Sequence, residues 1–223
     1  MFKGSRIKRL TQYWIIALLA AAWAIQSDPF WDKLMSEAEQ RYGSAGKQTL
    51  SQWRTLVQEN KNEKENTKLV KVNDFFNQRI HFGEDTLIWG EKDYWATPLE
   101  TMGTLKGDCE DFSIAKYISL LKLGVANEKL RLTYVKARLS NGRSQAHMVL
   151  VYYTQPNADP LVLDNLSMQI LPASKRPDLS PVFSFNNAGL WVGGGRDPKV
   201  KDPGTRLSRW RDVMIRMQRE GLY

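Results

Sequence analysis

The chain has 223 residues, 42% of them hydrophobic, with 8 Trp, 8 Tyr and 8 Phe, which is enough apolar material for one well-packed globular domain and excludes a disordered chain. The formal charge of +8 is concentrated at one end. Lys3, Arg6, Lys8 and Arg9 precede residue 25 in a stretch without an acidic residue, and setting these four aside takes +8 to +4. With no basic run interleaved with aromatics to follow a phosphate backbone, nucleic acid is not an expected partner.

The N-terminus reads as an export signal over residues 1–24. Basic MFKGSRIKR is followed by apolar LTQYWIIALLAAAWAI and by Ala22 and Ala24 in an A-x-A arrangement, so cleavage after Ala24 is expected, with a retained membrane anchor as the alternative. Either way residues 25–223 are expected outside the cytoplasm as a single domain, with a helical part over 25–82 and a catalytic core over 83–223. Asp28-Pro29 reads as an N-cap followed by proline at the first helical position. Phe30, Leu34, Ala38 and Tyr42 then recur at helical spacing as far as Gly43. A second helix carries Leu50, Trp53 and Leu56, and a third carries Leu69, Val72, Phe75, Phe76 and Ile80, with the charge run NKNEKEN between them.

From His81 to Lys106 the periodicity disappears into a long loop rich in glycine, acids and aromatics, including Trp89, Tyr94 and Trp95. A loop of that length in a small domain is usually functional. His81 itself reads as a structural residue at the end of the third helix. A fourth helix begins at GDCEDFSIAKYISLLKLG and stops at Gly124. LRLTYVKARL alternates like a strand, Asn141-Gly142 marks a hairpin, and AHMVLVYYT and LVLDNL follow as strands. Short strands are expected around Ile170 and over Leu190–Val192. Gly193-Gly194-Gly195 reads as a turn. Leu207, Trp210, Met214 and Met217 share one face of a C-terminal helix. Helices followed by a helix leading into an antiparallel sheet make an α+β domain.

The single cysteine, Cys109, has no partner for an internal disulfide in a compartment that favours disulfides. At the first turn of a helix its sulfur faces unpaired N–H groups and the positive end of the helix dipole, which favour thiolate over thiol. A small buried core residue is the alternative for a lone cysteine. His147 opens the strand after the hairpin, and Asp164 closes the next one. If those strands pair antiparallel, the histidine and the aspartate are neighbours. Cys109, His147 and Asp164 then have the order nucleophile, base and orienting acid that acyl transfer uses. Two histidines and one cysteine cannot build a Cys/His zinc site.

GDCEDFSIAKYISLLKLG, QAHMVLVYY and PLVLDNL resemble the cysteine, histidine and aspartate blocks of the bacterial transglutaminase-like cysteine proteases, of the LapG type, over about Trp31 to Arg196. The resemblance implies a papain-like, transglutaminase-like core with Cys109, His147 and Asp164 as its triad. It implies a periplasmic endopeptidase that trims the N-terminal region of a large surface adhesin at an Ala-Ala-type site and so releases biofilm cells. It also implies calcium dependence, and an inner-membrane receptor that sequesters the enzyme in response to cyclic di-GMP. A transglutaminase or deamidase of the same fold, and a catalytically silent periplasmic binding module, are the alternative functions. Self-association into a homodimer stays open.

Calcium is expected on Asp108, Glu110 and Asp111, whose carboxylates crowd one helix start and repel one another until a hard cation neutralises them. Alternatively these acids are solvated and Asp111 only caps backbone N–H groups. The Cys109 backbone N–H is expected as one oxyanion donor, with Trp95 or its neighbourhood as the second. Trp95 acting only as a groove wall is the alternative. The bulky Trp89, Tyr94 and Trp95 are expected to narrow the groove toward small substrate side chains.

Overall fold

The computed structural model describes residues 28–193 and 198–223. The expected export signal, together with Gly194 and Gly195, lies outside the described residues. Among the described residues no helix is long and apolar enough to cross a membrane.

The first helix, α1, runs Pro29–Asn60, and the Asp28 side chain caps it by accepting from the Phe30 N–H at 3.1 Å. Gly43, at φ 69° and ψ −164°, breaks it into the two helical pieces expected from the sequence. Helix α2, Glu65–Arg79, packs its apolar face of Leu69, Val72, Phe75 and Phe76 into the main core. It stops before Ile80, so His81 is not a helix-end residue. It lies exposed in β1, His81–Phe82, which pairs in parallel with β2, Lys106–Gly107.

The segment between β1 and β2 is more ordered than its sequence suggests. It holds a single turn, α3, Asp85–Ile88, and a second helix, α4, Pro98–Thr104, opened by a reciprocal capping box between Thr97 and Glu100. Seven residues are under two turns, too few to show a period, although T-P-L-E is itself a helix-start signal. Gly103 lets α4 lie against α1, because a Cβ there would sit 2.2 Å from the Tyr42 ring.

Helix α5, Cys109–Lys122, is the centre of the molecule, with every residue from Glu110 to Leu120 buried. Burial of an Ile, Leu or Phe side chain contributes about 1.5–3 kcal/mol relative to exposure, so Phe112, Ile114, Ile118 and Leu120 bind this helix firmly in place. Neighbours satisfy its polar groups. Trp53 Nε1 donates to Ser119 Oγ at 2.7 Å, and Lys68 Nζ donates to the Leu123 carbonyl at the helix's negative end, also at 2.7 Å.

Six antiparallel strands follow: β3 Leu130–Arg138, β4 Ser144–Tyr152, β5 Leu161–Leu163, β6 Leu171–Pro172, β7 Leu179–Phe185 and β8 Leu190–Val192, in the order β6-β5-β4-β3-β7-β8. Gly142, at φ 77°, supplies the left-handed residue that the β3–β4 turn requires. Leu130, Leu132, Met148 and Leu150 join the core with α5, while Val135, Val149, Val151 and Val162 form a smaller cluster of their own. Strand β7 is not expected from the sequence because Pro181 interrupts it. The chain accommodates that proline where the β3–β7 register shifts between Tyr134 and Val135. Helix α6, Ser208–Glu220, buries Trp210, Val213 and Met217 and closes the fold. The architecture is α+β, as expected.

Candidate active site

The nucleophile candidate is fixed by its helix cap. Asp108 is the N-cap of α5 and accepts from the Glu110 N–H at 3.2 Å, while Asp111 accepts back from the Asp108 N–H at 3.3 Å. Gly107 is needed for this fit, since a Cβ there would meet Asp111 Cβ at 2.7 Å. Cys109 is therefore the first residue of α5, where backbone N–H groups have no partner within the helix. Its sulfur is partly buried and donates to Glu110 Oε2 at 2.7 Å. The Met148 carbonyl accepts from Ser113 Oγ, one turn along α5, at 3.1 Å. Helix α5 is thus held to strand β4 at the residue that follows His147.

Strand β4 begins at Ser144, so His147 is inside the strand, opposite Val135, and does not open it. The ring is 2% exposed, and its Nε2 lies 2.8 Å from Asp164 Oδ1. Strand β5 pairs antiparallel with β4 through Leu163 and Leu150, which brings Asp164, the residue after β5, back to the histidine. With Nε2 engaged by the carboxylate, Nδ1 is the ring nitrogen left for other work.

Asp164 is surrounded by donors. Oδ1 also accepts from the Leu166 N–H at 3.0 Å, and Oδ2 accepts from the Arg176 guanidinium at 2.8 Å. The same Arg176 nitrogen also donates to Asp178 at 2.8 Å. Burial works to raise the Asp164 pKa, but the bond and charge of His147, the Leu166 N–H and Arg176 overcome it and bring the carboxyl down to about 2. Lys116, fully buried on α5, donates to Asn73 Oδ1 at 2.9 Å; burial lowers its pKa to about 7, against the attraction of Asp164. Neither Arg176 nor Lys116 is expected from the sequence. No local pattern marks them, because what joins them to the site is spatial.

The acids at the start of α5 have the opposite surroundings. Ligand atoms of Asp108, Cys109 and Glu110 lie within 4.8 Å of one another, as do those of Asp85, Asp108 and Asp111. Asp85 comes from α3 and is not among the residues expected from the sequence. Burial, and then Glu110, Asp111 and Asp85, push Asp108 up to about 9. Burial also raises Asp85, to about 6, and raises Asp111 well above the usual carboxylate range. Asp111 carries out the capping role, and its other oxygen accepts from the Ala96 N–H at 2.7 Å. Asp85, Asp108 and Glu110 border a cavity of about 450 Å³ lined also by Glu84, Asp93 and Tyr134. Its donors are hard oxygens converging from two elements, a set that fits calcium.

Two local expectations change here. The start of a helix predicts a lowered thiol pKa, yet burial first, then the charge and hydrogen bond of Glu110 and the charge of Asp108, push the Cys109 thiol up. Trp95 is 4% exposed, stacks on Phe185 and gives its indole N–H to Asp93 at 3.0 Å. Its indole N–H is thus engaged by Asp93, while the neighbouring loop stays a candidate for the second oxyanion donor.

Residues 41–192 match the family model for bacterial transglutaminase-like cysteine proteinases, BTLCP. Among solved structures, LapG of Legionella pneumophila is 40% identical with a TM-score of 0.71, covering 84% of this chain and 97% of its own. Its calcium-bound form is 38% identical with a TM-score of 0.72, covering 84% and 98%. Its EGTA-treated form is 40% identical with a TM-score of 0.73, covering 84% and 97%. No curated protein matches the chain. The chain belongs to the bacterial transglutaminase-like cysteine proteinase family.

Proposed function

We propose that this protein is a periplasmic, calcium-dependent cysteine endopeptidase that cuts the N-terminal region of a large surface adhesin at an Ala-Ala-type site and releases it, promoting biofilm dispersal. One observation carries the chemistry. Cys109, the only cysteine in the chain, opens the helix whose Ser113 hydroxyl bonds to the Met148 carbonyl, next to His147, and His147 Nε2 is 2.8 Å from Asp164.

With Asp164 holding Nε2–H, Nδ1 takes the thiol proton, and the sulfur attacks the scissile carbonyl to form a C–S bond. The Cys109 backbone N–H, at the positive end of α5, stabilises the oxyanion. The imidazolium returns its proton to the leaving amine as the C–N bond breaks. Water, deprotonated by the same nitrogen, then hydrolyses the thioester. Asp108 and Glu110 would hold calcium, as the calcium-bound relative encourages. A bound cation neutralises the carboxylates that otherwise keep the Cys109 thiol protonated. The aromatic loop that carries Trp89, Tyr94 and Trp95 narrows the groove in favour of small substrate side chains.

The N-terminal signal pattern supports export, and the family resemblance supports both the adhesin as substrate and a cyclic di-GMP receptor at the inner membrane as the partner that sequesters the enzyme. The test is incubation of the calcium-loaded protein with N-terminal fragments of surface adhesins encoded in the same genome, with mass spectrometry of new ends. New termini at a small-residue site, absent with Cys109→Ala, are expected. Equal cutting by Cys109→Ala, or transfer of the acyl group to an added amine in place of hydrolysis, overturns the endopeptidase reading.

A further inference from the structure

We propose that Asp85 is a ligand of the bound calcium ion, and that through it the ion clasps the segment between β1 and β2 to the start of the nucleophile's helix. This rests on the calcium reading above and adds a residue from a different part of the chain.

The two acids that complete the cluster with Asp108 differ in what their oxygens already do. Asp111 is fastened at both ends, Oδ1 by the Ala96 N–H at 2.7 Å and Oδ2 by the Asp108 N–H at 3.3 Å. It is a strut between the aromatic loop and the cap of α5. Asp85 is 6% exposed, and its Oδ2 accepts from the Tyr94 N–H at 2.5 Å, while its buried Oδ1 has no hydrogen-bond partner. That carboxylate has a ligand atom within 4.8 Å of those of Asp108 and Asp111. A buried carboxylate oxygen without a donor is costly to fold, and a cation is the partner that removes the cost for several acids at once. Among the described residues the cavity beside it is lined by five carboxylates, Glu84, Asp85, Asp93, Asp108 and Glu110, against the single cation Lys92.

The consequence is mechanical. Asp85 holds the Tyr94 N–H and Asp111 holds the Ala96 N–H, so the chain on both sides of Trp95 hangs from the acid cluster. An ion joining Asp85 to Asp108 and Glu110 ties that segment of chain to Cys109.

Calorimetric calcium titrations of the EGTA-stripped full chain compare wild type, Asp85→Asn and Asp108→Asn, with hydrogen exchange across 83–96 with and without calcium. Asn can still accept from Tyr94, so the metal-free Asp85→Asn protein is expected to melt no lower than wild type. Its calcium affinity is expected to fall by about tenfold or more, and the calcium-dependent protection of 83–96 is expected to disappear. Calcium binding by Asp85→Asn within about twofold of wild type, while Asp108→Asn loses it, overturns the role of Asp85 and leaves the calcium reading standing. A wild-type chain that takes up no calcium overturns both. Should Asp85→Asn not fold, wild-type exchange decides: no calcium-dependent protection across 85–94 overturns the clasp.

Discussion

Two sets of buried or half-buried aspartates flank the start and the partner strand of one helix, and they have opposite surroundings. Asp164 is 1% exposed but faces His147, Arg176 and the Leu166 N–H, and its carboxyl is held down at about 2. Asp85, Asp108 and Asp111 face one another and Glu110, and all three are pushed up. Burial acts in the same direction on all four. What differs is the supply of positive charge, complete within the chain at Asp164 and lacking at the start of α5. One side is a finished machine part, and the other calls for an ion.

The comparison is broken most severely at the proposed triad. Cys109→Ala is expected to reduce adhesin cleavage to background, and His147→Ala and Asp164→Asn to reduce kcat on the order of 10³–10⁴-fold, measured as initial rates on an adhesin fragment. Retention of the wild-type circular dichroism spectrum by Cys109→Ala separates lost chemistry from lost fold.

Removing the ion is next. Treatment with EGTA is expected to abolish cleavage, with calcium restoring it and magnesium failing to, because magnesium demands a near-octahedral site and keeps its waters. Full activity after stripping would erase the contrast between the two sides.

Arg176→Gln sharpens the finished side. It removes a charged hydrogen bond from Asp164, at an expected cost of about 1.5–3 kcal/mol by urea denaturation, and weakens the hold on the His147 ring. Because Asp164 is depressed in the folded state, its contribution to stability is present above its ordinary pKa and lost as pH falls through about 2. In the variant that acid limb is expected to shift upward in pH. An unchanged limb would show that His147 and Leu166 suffice without the arginine.

The smallest effect is expected at a third kind of acid. Glu220 is 5% exposed and accepts from Thr97 Oγ1 at 3.0 Å and from half-exposed Arg41 at 3.2 Å, yet burial raises it to about 7, aided by the nearby charge of Glu100. A raised carboxyl favours folding when protonated, so that stability is present at low pH and is lost as pH rises through about 7. Glu220→Gln keeps the Thr97 bond and removes that loss. Its melting temperature at pH 8 is expected to rise by about 2 °C relative to wild type, with no gain at pH 5.

Much of the frame was legible because each marker is local. Asp28-Pro29, Gly43, the G-D-C-E-D cap, Gly124 and Asn141-Gly142 punctuate the chain where helices and strands start and stop. Cys109, His147 and Asp164 stand out because they lie close to such boundaries. The pieces that did not show were those without a local period. Helix α4 is under two turns long, and β7 carries Pro181 at a register shift. Asp85, Arg176 and Lys116 reach the site only after the chain has folded, from positions that no spacing rule connects.

By itself the sequence determined the α+β order, the single cysteine and the two residues proposed to serve it. The electrical state of that cysteine was decided only by tertiary structure. A helix start favours a thiolate by about 0.3–1 kcal/mol, which makes Cys109 look activated in isolation. Packing α5 under the sheet desolvates the sulfur and sets Glu110 2.7 Å from it, and these effects move the thiol the other way. The dipole is fixed by local residue order, whereas desolvation and opposing charge depend on everything the fold brings near, and at Cys109 the second set is the larger.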